Sequence, residues 1–330
     1  MRLDRTRLID LAASTGFRQE TLEKVDRLIG LLDDVNRHPL VSRVLALKGG
    51  TALNLGFGPP SRLSVDLDFN YTGAADREAM LAQRPEVERA MESIARAQGY
   101  RVQRSREEHA GHKYFLGYKS LSGSSDRVEV DLNFLHRVPL GPPVKLRLWR
   151  PDAEPGFSVR TVGVEELCAG KLCALLARVL PRDCYDVIRL PAIAGGRWDR
   201  RLRRLFIALA GALDRPLHDY GRKRLEKVTQ AAVTEQLHPM LSSADRPSAA
   251  ELRRETWGVI APLLKLTKEE REYSDHLQAG ELRPELLFPD DKQQAELLRT
   301  HPVLLWKVHN AKGRAAKTTR KRRPAPRGRR

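Results

Sequence analysis

The 330-residue chain predicts an α+β fold: a mixed-sheet lobe, then a mainly helical lobe, then a disordered basic tail. Three observations carry that expectation. Between residues 41 and 150, short stretches alternate apolar and polar residues with period two, the pattern of half-buried strands. From about residue 160 to Leu304, apolar residues instead recur at helical spacing, with breaks at Pro191 to Gly196 and at Pro216. Residues 311–330 hold ten Lys or Arg, no acid and too little apolar content to bury a core. The expected divisions are an N-terminal helical segment (1–40), a core lobe (41–155), a helical lobe completing a cleft (156–310) and the tail (311–330).

Taken in order, Leu22, Val25, Leu28, Ile29 and Leu32 form one face of a helix that ends before Pro39. Val44 to Leu47 is a short apolar strand closed by Gly49-Gly50, and Thr51 to Leu55 reads as a brief helix. Val65 to Tyr71 is the next strand. A helix over Asp76 to Gln98 places Val87, Met91 and Ile94 on one face and stops at Gly99. Strands are expected at Tyr100 to Arg104, Lys113 to Lys119, Val128 to Leu135 and Val144 to Trp149. Gly163 to Arg178 predicts a helix with acids in its first turn; Pro181 ends it, and a further helix opens at Arg182.

Carboxylates sit on two of these strands. On a strand, residues i and i+2 share a face, so Asp66 and Asp68 project together while Val65, Leu67 and Phe69 turn inward. Such a pair repels and raises its own pKa values unless a cation lies between, and Mg²⁺ takes carboxylate and phosphate oxygens together. The upstream Gly49-Gly50 turn lets backbone N–H groups come close to an anion. In Arg127 to Phe134 the alternation places Glu129, Asp131 and Asn133 on one face, giving Asp131, then Glu129, as a third acid.

Lys48-Gly49-Gly50-Thr51-Ala52-Leu53 followed by Arg62-Leu63-Ser64-Val65-Asp66-Leu67-Asp68-Phe69 resembles the AbiEii/MenT nucleotidyltransferase toxins, within the polymerase-β-like nucleotidyltransferase superfamily. Thr51 stands where that superfamily often has Ser. A second block, Glu166 to Arg178 with Arg182-Asp183 and Asp186, extends the resemblance over residues 40–190. It implies a Mg²⁺-dependent enzyme, with Mn²⁺ as a substitute metal, that transfers NMP from an NTP to the 3′ end of tRNA and so blocks aminoacylation. The implied metal ligands are Asp66, Asp68 and Asp131, with Asp131 or Asp186 positioning or deprotonating the nucleophile. Lys48, Gly49, Gly50, Thr51, Arg62, Ser64 and Lys171 would hold the triphosphate, with Lys171 neutralising its charge. A cognate antitoxin is implied, and Ser64 is the candidate for inhibitory phosphorylation. The rival readings are a small-molecule nucleotidyltransferase and a catalytically silent NTP- or RNA-binding module.

Charge favours RNA over a small acceptor. The net charge is +17, of which +7 remains on the first 310 residues, with basic stretches at Arg197 to Arg204 and Arg222 to Lys227. No segment approaches the roughly 20 apolar residues of a membrane span, and the N-terminus lacks a signal-peptide core, so a cytoplasmic protein with no membrane partner is expected. Cys168, Cys173 and Cys184 are expected as reduced core thiols. His109 and His112 are read as strand or loop residues rather than zinc ligands.

Overall fold

The computed structural model describes residues 3–106, 110–151, 156–196 and 198–322, with side chains through Gly313. His109 and Arg197 of the sequence reading, and the end of the tail from residue 323, lie outside the described residues.

Seven strands form one sheet: β1 (Leu45–Lys48), β2 (Asp66–Tyr71), β3 (Arg101–Arg104), β4 (Gly111–Lys119), β5 (Ser125–Asn133), β6 (Val144–Arg147) and β7 (Ser158–Thr161). Their order is β3-β4-β5-β2-β1-β7-β6. β2 lies at the centre, parallel to β5 and antiparallel to β1. The alternation read from the sequence holds on both acidic strands: Leu67 and Phe69 of β2, and Val128, Val130 and Leu132 of β5, are buried. The sheet ends one strand later than the expected lobe boundary at 155. β7 pairs with β1 and β6.

The helices are α1 (Arg5–Thr15), α2 (Gln19–Arg37), α3 (Val41–Val44), α4 (Gly49–Gly56), α5 (Arg77–Ala97), α6 (Val164–Arg178) and α7 (Pro181–Ile193). They continue as α8 (Arg200–Ala210), α9 (Gln230–Gln236), α10 (Ala249–Ile260), α11 (Lys268–Gln278), α12 (Lys292–Arg299) and α13 (Pro302–Arg322). α2 packs on β5 and β7, and α5 on β3. Leu22, Val25, Leu28, Leu31 and Leu32 of α2 are buried to 2 % exposure or less, as its helical stripe requires. Asp76 caps α5 by accepting the Ala79 N–H. Ser248 with Glu251, and Thr267 with Glu270, close capping boxes on α10 and α11.

One local feature differs from expectation. Pro181 begins α7 rather than merely ending α6, because a proline at N1 loses no helical hydrogen bond. The basic tail begins inside α13, whose backbone stays helical to Arg322.

Candidate active site

The central strands bring the sequence-predicted acids into one row. In the β2–β5 register Asp68 lies opposite Asp131 and Asp66 opposite Glu129, while Lys48 of β1 lies opposite Asp68 on the other side. Adjacent residues of paired strands share a face, so Asp68 sits between a cation and a second acid. Burial, then Asp66, then Asp131 push its carboxyl up to about 6, against the pull of Lys48 and Lys171. Asp66 is half-buried; its Oδ1 accepts the Ser64 hydroxyl at 2.9 Å, and its Oδ2 lies 3.8 Å from Arg182 Nη1.

The glycine turn acts first through packing. Gly49 has φ +72, and a Cβ there would collide with the Asp68 carboxylate. A Cβ at Gly50 would lie 2.7 Å from Ser64 Oγ and 3.0 Å from Arg62 Nη2. The turn therefore lets α4 start directly against the acidic strand, with the positive end of the helix toward the carboxylates. The Thr51 hydroxyl is buried and donates to the backbone carbonyl of Asp66, which ties α4 to β2.

Behind this face lies a buried ion cluster. Asp183 and Asp186 of α7 are both fully buried. Arg62 grips Asp186 through two bonds, Nε to Oδ1 at 2.9 Å and Nη2 to Oδ2 at 2.8 Å. Lys171 Nζ lies 2.8 Å from Asp186 Oδ2 and 3.6 Å from Asp183 Oδ1. Arg178 grips Asp183 at 2.6 and 2.8 Å, and the Asn54 amide donates to Asp186 Oδ1 at 3.1 Å. Burial alone would raise the Asp186 pKa, but Arg62 and Lys171 overcome it and hold the group far below the usual carboxylate range.

The α6–α7 junction assembles this cluster. Val179 caps α6 with φ 55 in the left-handed region, a position costly for a β-branched residue. That reversal places Asp183 and Asp186 against Lys171 and Arg178 of the preceding helix.

A cavity of 390 Å³ opens between the two regions. Lys48, Gly49, Asp68 and Asn70 line one side, Glu166, Lys171 and Arg178 another, and Leu209, Leu213 and Val303 an apolar wall. Burial pushes Glu166 up to about 7 although it accepts the Leu140 N–H. Burial and Lys48 hold the cavity-lining His136 well below its ordinary value.

The structure thus gathers Lys48, Gly49, Asp68 and Lys171 around one cavity, with Asp66 and Asp131 close to Asp68 on the sheet, and gives four further candidates contacts of their own. Arg62 is only 2 % exposed and engaged by Asp186, Leu63 and Met240, so in this structure it clamps the ion cluster. Both oxygens of Asp186 are paired with cations, Arg62 on each and Lys171 on Oδ2. Thr51 spends its hydroxyl on β2. Ser64 is 2 % exposed with its hydroxyl on Asp66, so a kinase could reach it only after this loop opened.

Sequence reasoning missed Asn54, Asp183 as a partner of Lys171, and Asn70, whose Oδ1 is buried without a hydrogen-bond partner. Only Asn70 carried a signal, two residues beyond Asp68 on the same strand face. His112 lies 3.3 Å from Glu88 through Nε2 and has no part in the site. Cys168, Cys173 and Cys184 are free thiols, and burial pushes all three up to about 12. Among the described residues no helix is long and apolar enough to cross a membrane.

The comparisons with known proteins agree with this geometry. By fold, the chain is similar to the nucleotidyltransferase toxin MenT4 from Mycobacterium tuberculosis H37Rv. The TM-score is 0.54 at 21% sequence identity, covering 92% of this chain and 99% of that one. No curated protein matches by sequence. The family description "Nucleotidyl transferase AbiEii toxin, Type IV TA system" matches residues 30–258, from within α2 to within α10. That span encloses the acidic row, the ion cluster and Lys171, so the chain belongs to the AbiEii nucleotidyl transferase toxin family and is a nucleotidyltransferase of a toxin–antitoxin system.

Proposed function

We propose that this toxin transfers NMP from an NTP to the 3′ end of tRNA, with Mg²⁺ or Mn²⁺, and thereby blocks aminoacylation. The observation that carries the reading is the register of Asp68 with Asp131, facing Lys171 across the cavity.

The donor set suits a hard divalent cation. Asp66 and Asp68 share a strand face, Asp131 stands beside Asp68, and burial first, then Asp66 and Asp131, disfavour the bare Asp68 carboxylate, which a cation would stabilise. Among the described residues no group of three or more His, Cys, Asp or Glu side chains is placed to hold a metal ion by itself. The acids form an open row, which suits an ion that takes its remaining oxygens from phosphate and water. Bound there, the ion would supply Lewis-acid stabilisation of charge on the reacting phosphate.

The chain's own groups account for the rest. Lys171 is preorganised by Asp183 and Asp186, so it offers charge to the β- and γ-phosphates without reorganising. Lys48 and the N–H groups at the start of α4 face the same anion. Asp131 takes the proton from the acceptor 3′-hydroxyl as its oxygen bonds to the α-phosphorus. The bond from that phosphorus to the pyrophosphate oxygen breaks, and pyrophosphate leaves with the electron pair. Asp186, paired with Arg62 and Lys171 and held far below the usual carboxylate range, is the weaker base of the two, so the proton is assigned to Asp131. A small acceptor would not call for a charge of +17, whereas a phosphate backbone does.

The test incubates the protein with total tRNA, Mg²⁺ and each α-labelled NTP in turn. Label should enter tRNA in wild type and fall by at least about 10³ in Asp68→Asn. Label that reaches no RNA, or that Asp68→Asn still transfers, overturns the proposal.

A further inference from the structure

Asn70 lines the cavity, is 2 % exposed, and its Oδ1 finds no hydrogen-bond partner among the described residues. A buried acceptor left unpaired is costly, so its position calls for a donor from outside the chain. The surroundings say what kind of donor. Asp68 and Asn70 share a face of β2, two residues and hence about 7 Å apart. The field around Asp68 is ionic, from Asp66, Lys48, Asp131 and Lys171, and Arg178 feels the same acids. Around Asn70 the strands carry no charge: its neighbours are Ala46 on β1 and Asn133 on β5. Asn133 Oδ1 already accepts the N–H groups of Leu135 and His136. The His136 ring, kept uncharged by burial, lines the cavity and meets His301 edge-on at 6.0 Å. His301 stands two residues before Val303 of the apolar wall. The cavity therefore runs from an ionic end at Asp68 to a neutral end at Asn70.

We infer that Asn70 reads the sugar of the incoming NTP, its Oδ1 accepting a ribose hydroxyl. The inference rests on the proposed binding of an NTP beside Asp68 and names the residue that selects its sugar. The triphosphate takes the ionic end, where Lys48, Lys171 and the start of α4 lie. In any NTP the sugar follows the α-phosphate directly, and the base follows the sugar. With the α-phosphate at Asp68, one strand step further brings the sugar to Asn70 and leaves the apolar wall to the base. A sugar hydroxyl is also a donor that all four NTPs share. An analogue with hydrogen in place of that hydroxyl leaves Oδ1 buried and unpaired, so the same residue that accepts ribose rejects the deoxy form.

The test measures equilibrium binding to full-length wild type, Asn70→Ala and Asn70→Leu, with Mg²⁺ and without RNA. The probes are the four NTPs and their 2′-deoxy and 3′-deoxy counterparts, which tell the two hydroxyls apart. Wild type should bind one deoxy form at least about tenfold more weakly than the NTP, and the same form for every base. In both variants that ratio should fall below about threefold, because the acceptor is gone. Asn70→Leu keeps the side-chain volume, and without nucleotide its Tm should hold or rise, since an unpaired buried acceptor is removed. A lower Tm in Asn70→Leu with the wild-type ratio kept in Asn70→Ala makes Asn70 a packing residue and overturns the inference. So does a wild type indifferent to the sugar. A loss confined to one base gives Asn70 to the base and overturns it too. Sugar-dependent binding that Asn70→Leu abolishes, with no label entering tRNA, refutes the proposed acceptor and leaves this inference standing. Label that enters tRNA equally from the NTP and both deoxy forms does the reverse.

Discussion

Asp68 and Asp186 carry the same carboxyl group into opposite surroundings. Asp68 stands in a row of acids with Lys48 as its strand neighbour, and its pKa is pushed up to about 6. Asp186 is fully buried yet held far below the ordinary range by Arg62 and Lys171. The acidic row has charge left to offer a cation; the ion cluster has used its own. On the proposed reading one region binds the ion and the other holds Lys171 in place, and a substitution should tell them apart by what it damages.

The largest expected effects come from exchanging these two acids. Asp186→Ala leaves Arg62 and Lys171 buried against one lost partner, a change that typically costs about 3–5 kcal/mol. Chemical denaturation should show that loss, with activity falling along with the folded fraction. Asp68→Asn removes repulsion instead, so stability without metal should hold or rise while transfer disappears. If both variants unfold alike, or both merely lose activity, the division between the two regions is wrong.

Lys171 belongs to both regions and separates them further. Lys171→Ala removes a preorganised charge from the cavity, worth roughly 10²–10³ in kcat. Arg62 still compensates Asp186 in that variant, so its stability loss should be smaller than that of Asp186→Ala. Lys171→Arg should recover activity only in part, since a planar guanidinium does not fit where a compact ammonium bridges Asp183 and Asp186. Single-turnover rates at saturating NTP, beside melting temperatures, give the comparison. Wild-type turnover in Lys171→Ala would confine the lysine to structure.

A pH series sharpens the contrast without touching the ion cluster. Asp68 has a folded pKa raised from 3.8 to about 6. Its contribution to metal-free stability is thus present below about pH 4 and lost as pH rises through 6, because the folded state binds more protons in that window. Asp186 behaves oppositely: its contribution is present above the unfolded value and lost only far into acid. In chelator, wild type relative to Asp68→Asn should lose on the order of 2 kcal/mol between pH 4 and pH 7. Saturating Mg²⁺ should restore it, and at a hundredfold its Kd would add about 2.7 kcal/mol to wild type alone. Urea titrations at the two pH values, with and without Mg²⁺, measure this. Identical pH profiles in the two proteins would mean that Asp68 is not strained by its neighbours.

The acidic row was far more legible in the sequence than the ion cluster, for a physical reason. Alternation is local, so Asp66 and Asp68 could be placed on one face from six residues, and Glu129 with Asp131 likewise. That Asp131 stands beside Asp68 needed the parallel pairing of β2 with β5. The ion cluster is not local at all: Arg62 and Asp186 are 124 positions apart, and no periodicity marks such a partner. Resemblance flagged Lys171 and Asp186 but not their bond, so Asp186 was read as a possible base and Arg62 as a phosphate ligand. The α6–α7 reversal escaped because Val179 occupies a conformation usually left to glycine.

The smallest effect concerns neither acid. Removing residues 314–330 takes away nine Lys or Arg while leaving Lys307 and the cavity wall of α13 intact. The folded body offers few substitutes on α8: Arg203 is held by Glu270 and two carbonyls, Arg201 by Gln294, and Arg204 stacks over Phe288. Three arginines of the basic stretch expected there as an RNA surface are thus engaged within the helical lobe, while Arg200 is exposed. Truncation should leave KM for the NTP and the turnover at saturating tRNA nearly unchanged, since no cavity residue is lost. Each phosphate contact removed lowers the salt slope of binding by about 0.7–0.9, so four contacts flatten it by about 3. Binding of tRNA by the full-length and truncated proteins at two salt concentrations reads this directly. An equal slope in both would move the phosphate contacts to the exposed Arg222, Lys223 and Lys227.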